Sequence, residues 1–94
     1  MIKHIIRQEV FNKQQGRVYG ILEVELPFLL REGMEIEQSY YKYPGGEVVH
    51  STVSIDESEF KCVYIIMKPI EKQKLDRELE ISTFEAHGWE VENK

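Results

Sequence analysis

Two pairs of glutamates have the spacing to do acid–base chemistry or to bind a divalent cation. Glu23 and Glu25 alternate with apolar residues in one segment, and Glu35 and Glu37 do so in another. Residues two apart in a β-strand point to the same face, so each pair presents two carboxylates together. If the two strands are neighbours, four carboxylates share one surface, which suits a cation or proton transfer. Alternating glutamates are also typical of a solvated strand face, so a small metal- or ligand-binding enzyme is the alternative function.

The histidines and the cysteine do not form a catalytic or metal-binding motif. His4, His50 and His87 are far apart in the sequence, and Cys62 is the one cysteine. A structural zinc site typically uses four nitrogen or sulfur ligands, which this set does not supply. Cys62 lies in an apolar segment, where a buried thiol behaves as a small hydrophobic group. The sequence therefore predicts no catalytic residue, no metal ligand and no cofactor, and it favours a non-enzymatic role.

Tyrosines concentrate beside a glycine-rich turn. Three of the five tyrosines, Tyr40, Tyr41 and Tyr43, lie within four residues and are followed by Pro-Gly-Gly at 44–46. Tyrosine offers a large, rigid contact surface at low entropic cost and is enriched in binding hot spots. Strand alternation places Tyr40 on the apolar side and the other two on the side of the glutamates.

The function predicted from this cluster is a non-enzymatic protein-interaction module. The other interpretation of the tyrosines is that they cover a second small core beneath the C-terminal segment. We predict that the chain contacts a protein partner or its own copy through the tyrosine-rich hairpin and its acidic flank. That surface consists of Tyr40, Tyr41, Tyr43, Gly45, Gly46, Glu35 and Glu37.

The composition describes one acidic globular domain over residues 1–94. The chain is 41% apolar and 31% charged, with a formal net charge of -5, and its length suits a single core. A nucleic-acid binder normally presents a basic face, and here the local basic excess between Lys68 and Arg77 is interleaved with acidic residues. A nucleic-acid-binding small barrel is therefore the second alternative. With one cysteine, and no apolar run long enough for a signal peptide or a membrane span, we expect a cytoplasmic protein without membrane contact.

The pattern of apolar residues predicts five strands joined mostly by turns. β-branched and aromatic residues alternate with polar residues in short segments, and turn-forming residues separate these segments. The predicted strands cover residues 2–11, 18–26, 34–40, 48–55 and 60–67. Gly20, inside the second strand, predicts a β-bulge or a close approach of another group to the backbone.

The fourth and fifth predicted strands differ in the pattern of their apolar residues. In the fourth strand, alternation places Val49, Val53 and Ile55 on one side. The fifth strand, residues 60–67, is apolar on both sides, which is typical of a central strand covered on both faces. These two patterns bear on which apolar side chains of the fourth and fifth strands are buried.

The C-terminal segment predicts a short helix and completes the fold class. The residues Ser-Thr-Phe-Glu at 82–85 fit a capping box, and Gly88 suits the position that ends a helix, so the helix is predicted near residues 83–87. Residues 71–81 fit helix or strand, with helix favoured. The predicted fold is mainly β (α+β): a small curled antiparallel sheet or SH3-like barrel of about five strands with a short C-terminal helix. The alternative is an open α+β sheet with the C-terminal segment across one face.

One segment resembles a class of small proteins. Residues 27–36 read Pro-Phe-Leu-Leu-Arg-Glu-Gly-Met-Glu-Ile, and a Val-Val strand and the apolar strand Val-Tyr-Ile-Ile at 63–66 follow. This arrangement is similar to uncharacterised small bacterial or phage barrel proteins, in which a Pro-Phe-x-x-Arg-x-Gly-x-x-Ile segment leads into a curled SH3-like sheet. The resemblance covers residues 24–68 and implies the barrel fold, but it implies no activity and no functional residue.

Overall fold

A strongly curled, half-barrel sheet forms most of the computed structural model. The structure describes residues 1–37 and 46–94. The mainly β class with a short C-terminal helix is confirmed. In chain order the elements are β1 (Ile2–Asn12), β2 (Gly16–Leu26), β3 (Glu35–Ile36), β4 (Gly46–Asp56), β5 (Glu59–Met67), β6 (Ile70–Glu71), α1 (Arg77–Ala86) and β7 (Glu90–Val91).

Two long hairpins build the sheet, whose strand order is β3-β4-β5-β1-β2-β7, with β6 beside β1. β1 and β2 form one antiparallel hairpin, and β4 and β5 form the other. The hairpins join through parallel pairing of β1 with β5, where His4 lies opposite Val63. The sheet is therefore mixed rather than wholly antiparallel, because the chain leaves β2 for the far side of the sheet and β5 returns beside β1 in the same direction.

Alternation in β1 determines which side chains enter the core. Ile6 and Val10 are fully buried on the inner face, as their even spacing predicts. The same face also carries two buried polar residues, His4 and Gln8. The Gln8 amide donates a hydrogen bond to the Lys68 carbonyl oxygen at 3.0 Å. Burial of this amide is tolerated because its donor group has a partner, and the bond ties the segment after β5 to β1.

A bulge interrupts the predicted alternation of β4, and the far end of the strand is exposed. Val53 and Ile55 are exposed, whereas Val48 is fully buried. A β-bulge between Val48 and His50 inserts an extra residue, so Val48 rather than Val49 faces the core. Val53 lies opposite the buried Val63 and so points to the core face. It remains exposed because pairing between β1 and β5 begins at Val63, and the hairpin extends beyond that point.

β5 is central in the sheet, as predicted, but along residues 64–67 it is covered on one face only. Val63 and Ile65 are buried on the inner face, whereas Tyr64 and Ile66, which alternate with them, are exposed. The expectation of cover on both faces is therefore wrong for the described residues. The physical reason is that α1 packs on the inner face, where Phe84 approaches Gly20 of β2.

The C-terminal segment holds a single helix that begins earlier than predicted. The Asp76 carboxylate accepts a hydrogen bond from the Leu79 N–H at 3.2 Å and caps the start of α1. The predicted capping box at 82–85 therefore lies inside the helix. Within residues 71–81, where the sequence fits helix or strand and favours helix, Glu71 belongs to β6 and residues from Arg77 onward belong to α1. The end of the helix is confirmed, since Gly88 follows it with φ +86°.

Gly20 marks a close approach rather than a bulge. The pairing of β1 with β2 runs without a register shift past this residue. A Cβ atom added to Gly20 would lie 2.3 Å from Cε1 of Phe84, and the Phe84 ring packs against Trp89 with its centroid 5.4 Å away. The missing side chain is therefore what allows the helix to seat its phenylalanine on the sheet.

Candidate interaction surface

Exposed apolar side chains concentrate on the β4–β5 hairpin. Nine large hydrophobic residues are exposed in the described chain, and five of them lie on this hairpin. These five, which we name the hairpin patch, are Val53 (46% exposed), Ile55 (65%), Phe60 (50%), Tyr64 (48%) and Ile66 (40%). Single exposed apolar residues are ordinary, but a group on one element marks a candidate interaction site.

The hairpin patch occupies both faces of the hairpin. Ile55 lies opposite Phe60 near the turn, so their side chains are cross-strand neighbours. Val53 points to the core face beyond the covered part of the sheet, because its cross-strand partner is a buried valine. Tyr64 and Ile66 point to the opposite face. The end of the hairpin therefore offers apolar contacts on each side to a chain that packs against it.

The turn that joins β4 to β5 is conformationally strained. It consists of Glu57 and Ser58, with φ values of 49° and 67°. Positive φ at both positions of a two-residue hairpin loop defines a type I′ turn, which favours Asn-Gly. A side chain in this region costs roughly 1 kcal/mol per residue, and such strain concentrates in functional segments.

Relieving this strain should stabilise the domain. The double substitution Glu57→Asn and Ser58→Gly is expected to raise the free energy of unfolding by about 1 kcal/mol, because both new residues adopt positive φ readily. Thermal and denaturant unfolding measure the change. Ser54→Gly, at a strand position of the same hairpin, is the matched control and should destabilise the protein by about 0.5–1 kcal/mol. A loss of stability in both variants would contradict the strained turn.

Acidic residues surround the turn. Asp56, Glu57 and Glu59 are all exposed, and Lys61 is the nearby cation, with its Nζ 3.9 Å from the Asp56 carboxylate. An exposed ion pair at this distance contributes little to stability. The apolar end of the hairpin is therefore bordered by net negative charge.

Among the described residues, one edge of β4 is unpaired over most of its length. On that side β3 reaches only to Glu47, and Gly33 and Met34 hydrogen-bond with Val48. No strand within residues 1–37 and 46–94 pairs with this edge beyond that point, which leaves residues 50–56. Sheet edges are commonly protected by lysine or proline, but the sequence His-Ser-Thr-Val-Ser-Ile-Asp contains neither. This edge can therefore accept a further strand.

The surface predicted from the sequence is described in part. Glu35 and Glu37 are exposed, and Gly46 is the first residue of β4. Glu35 lies directly opposite Glu47, and like charges at opposite positions repel one another. Four residues lie outside the described residues, and their role stays a prediction: Tyr40, Tyr41, Tyr43 and Gly45.

The four-carboxylate surface does not form. Glu23 and Glu25 lie on β2, and Glu35 lies on β3, with β4, β5 and β1 between those two strands. The condition for a shared carboxylate surface, that the two strands are neighbours, is therefore not met. Glu23 instead pairs with Lys3 at 3.1 Å. Within the described ranges no group of three or more His, Cys, Asp or Glu side chains is placed to hold a metal ion.

Basic residues on the outer face of the β1–β2 hairpin are paired with carboxylates. A nucleic-acid surface needs cations that are available to phosphates. Three cations of this hairpin each lie 3.1–3.2 Å from an acidic oxygen: Lys3 from Glu23, Arg7 from Glu92, and Arg17 from Glu9. The geometry of this face therefore does not favour the nucleic-acid alternative.

Cys62 and Tyr64 form a small polar contact beside the patch. Cys62 is a free, buried cysteine, as the sequence predicts. The hydrogen bond between Cys62 and Tyr64 raises the pKa of the tyrosine above the usual 10.0. Separately, the hydrogen bond and the negative charge of Glu23 raise the pKa of Lys3. Both groups therefore titrate further above neutral pH. At neutral pH the hairpin patch offers an uncharged phenol to a partner.

A cavity beside β3 was not anticipated from the sequence. It has a volume of about 300 Å³ and is lined mainly by apolar side chains from the segment that follows β2, with Glu35 and Glu37 at its rim. A second cavity, of about 260 Å³, lies between β1, β2 and the residues that follow α1. Among the described residues, the lining of neither cavity places a nucleophile next to a base.

The fold and the surface define a small mixed-sheet domain with an exposed apolar hairpin. Comparison with known protein families, curated proteins and solved structures finds no significant match. The resemblance to small SH3-like proteins therefore stays a prediction. In the part of the chain that the structure describes, no helix is long and apolar enough to cross a membrane.

Proposed function

We propose that this chain is a non-enzymatic protein-interaction module that binds another polypeptide chain through the β4–β5 hairpin. The observation that supports this proposal is the hairpin patch. It places five of the nine large apolar side chains that are exposed in the described part of the chain on a hairpin with an edge that no described strand pairs along residues 50–56. Main-chain hydrogen bonds to a sheet edge provide affinity, and neighbouring side chains provide specificity. Both components are present on one element of this domain.

Charge restricts the kind of foreign partner that fits. The chain has a net charge of -5, and the turn of the hairpin adds Asp56, Glu57 and Glu59 next to the apolar side chains. A foreign partner is therefore expected to surround its apolar contact with lysine or arginine. Such attraction accelerates association and weakens as salt screens it.

The tyrosine-rich segment belongs to the same proposal. It directly precedes Gly46 in the sequence, and Gly46 begins the strand whose edge is unpaired. We therefore propose that Tyr40, Tyr41 and Tyr43 add to the contact made by β4. A cytoplasmic location is part of the proposal as well, since the one cysteine is a free thiol, which suits a reducing compartment.

Removing two side chains of the patch tests this function. The double substitution Ile55→Ser and Phe60→Ser should weaken binding at least tenfold, because large apolar contacts dominate interface energies. Unfolding free energy should change by less than about 1 kcal/mol, because both side chains are at least half exposed. Capture experiments with the purified wild-type domain as bait, and with an untagged copy of the domain included, measure retention, and each retained protein is then purified and titrated.

Two further variants make the result specific. Leu79→Ser removes a 62% exposed apolar side chain from α1 and should leave retention unchanged. Tyr41→Ser with Tyr43→Ser reports the contribution of the tyrosine-rich segment. Equal retention by the wild type and the hairpin variant would refute the hairpin as the contact, and so would unfolding of the hairpin variant, since the patch would then be structural.

A further inference from the structure

We infer that the polypeptide bound by the hairpin is a second copy of this chain, added edge to edge along β4 as an antiparallel strand. The inference rests on the proposed function, because it names the partner of the same surface. It depends on the edge at residues 50–56, which no strand of the described ranges pairs with, and on the order of side chains along that edge. That order is complementary to itself when the strand is reversed.

Symmetry limits how two copies of this edge can pair. In an antiparallel pair, residues that face each other point to the same side of the sheet. A two-fold axis that passed between two residues would make neighbours in sequence face each other, and these point to opposite sides. The axis must therefore pass through one residue and its own copy. The first β-bulge of the β4–β5 pairing lies before residue 50, so residues 50–54 of β4 alternate without a break. The extra residue of the second bulge is Lys61, which belongs to β5 and not to β4. A centre at Val53 is the register that pairs all seven residues of 50–56 with one another.

The register centred on Val53 places complementary groups opposite each other. His50 lies opposite the partner's Asp56, and symmetry produces this pair twice. Thr52 lies opposite the partner's Ser54, and hydroxyl pairs of this kind form cross-strand hydrogen bonds. Within the described residues the Asp56 carboxylate contacts the Lys61 ammonium at 3.9 Å, which is longer than a hydrogen bond, so its oxygens can accept a hydrogen bond from an imidazole.

Apolar burial and charge both favour this arrangement over a parallel one. Val53 meets its own copy. Ile55 lies opposite the partner's Ser51 and is a diagonal neighbour of the partner's Val53 on the same face, so two exposed apolar side chains of each copy lie at the interface. The two acidic turns lie at opposite ends of the antiparallel interface. A parallel pairing would bring Glu57 and Glu59 of the two copies together and would be opposed by their repulsion.

The first test is the molar mass of the full chain by light scattering over a hundredfold range of concentration. We expect the mass to rise to that of a dimer. Val53→Lys places a charge at the centre of the edge and should weaken the dimer at least tenfold. Leu79→Lys is the matched control, because it adds the same charge at a 62% exposed apolar side chain of α1, outside the hairpin, and should leave the dimer intact.

A charge exchange tests the register itself. His50→Asp puts two carboxylates opposite each other and should weaken the dimer about tenfold. Adding Asp56→His to that variant restores opposite partners and should restore the dimer constant to within about threefold of the wild type. Failure of the second substitution to restore the dimer would overturn the proposed register.

The outcomes separate this inference from the proposed function. A wild-type chain that stays monomeric at all concentrations, while the Ile55→Ser and Phe60→Ser variant still loses a captured foreign protein, overturns the inference alone. A dimer that Val53→Lys and His50→Asp leave unchanged also overturns it, because the interface then lies elsewhere. A monomer that captures nothing through the hairpin refutes both proposals.

Discussion

Replacing Gly20 with alanine is expected to lower the free energy of unfolding by about 3 kcal/mol, because the added methyl group has no space. A Cβ at this position would lie 2.3 Å from Cε1 and 2.7 Å from Cζ of Phe84. The ring is fully buried and packs against Trp89, so moving it away from residue 20 would disturb its packing in the core. Denaturant unfolding followed by circular dichroism measures the loss.

A control and a double-mutant cycle identify the cause. Gly46→Ala changes a glycine in β4 whose nearest neighbour is Cε of Met67 at 3.8 Å, so we expect a change of less than about 0.5 kcal/mol. Phe84→Ala alone should cost about 3–5 kcal/mol. In that background Gly20→Ala should cost almost nothing, because the ring it collides with is absent, and the coupling energy should therefore approach 3 kcal/mol. Equal losses for Gly20→Ala with and without Phe84 would show that the clash is not the cause.

The sequence predicts those parts of the fold that local chemistry determines. Alternation in β1 and β2 identifies the inner face because one side of each strand meets the core and the other meets water. Gly88 identifies the end of α1 because few other residues accept a positive φ. Gly20 carries a signal for close packing because a glycine inside a strand weakens it unless another group needs the space.

The start of the helix depends on tertiary contacts that the sequence does not display. Asp76 and Ser82 are both good N-cap residues. Two contacts outside the segment favour the earlier start. The Lys72 N–H donates to the Phe11 carbonyl oxygen at 2.9 Å and continues the β6 pairing with β1, and the Lys72 ammonium pairs with the buried Glu80 carboxylate. These contacts favour a helix capped by Asp76, six residues and therefore nearly two turns before the local capping signal at Ser82.

The sequence does not identify the hairpin patch, because buried apolar residues and apolar residues at an interface are of the same types and have the same spacing. Val53 and Ile55 show the spacing of core residues and point to the core face, and Phe60 belongs to a segment that is apolar on both sides. Whether such residues are covered depends on how far other strands extend beside them. Here β1 pairs with β5 only from Val63 onward, which no local pattern encodes. The tyrosine cluster, in contrast, is recognised from the composition of its segment alone, because three tyrosines lie within four residues.

The second large effect is expected at His4, which fixes the segment that follows β2. His4 is fully buried, and its Nε2 accepts a hydrogen bond from the Leu30 N–H at 3.1 Å. Its proton is therefore on Nδ1, which donates to the Ile2 carbonyl oxygen at 2.9 Å. The Leu30 carbonyl oxygen in turn accepts a hydrogen bond from the Ser51 hydroxyl at 2.9 Å. Leu30 is thus held between β1 and β4 through both of its main-chain groups.

Replacing His4 with leucine keeps most of the side-chain volume but leaves the buried Leu30 N–H without its acceptor. We expect a loss of about 2–3 kcal/mol in unfolding free energy, because an unsatisfied buried donor costs about that much. Ser51→Ala removes one hydrogen bond to the same residue and should cost about 1 kcal/mol. The local effect is measured by hydrogen exchange: the Leu30 amide should exchange faster by a larger factor than the amide of Val10 in the core of β1. If both amides accelerate by the same factor, the loss is global, and His4 does not act as a local anchor for this segment.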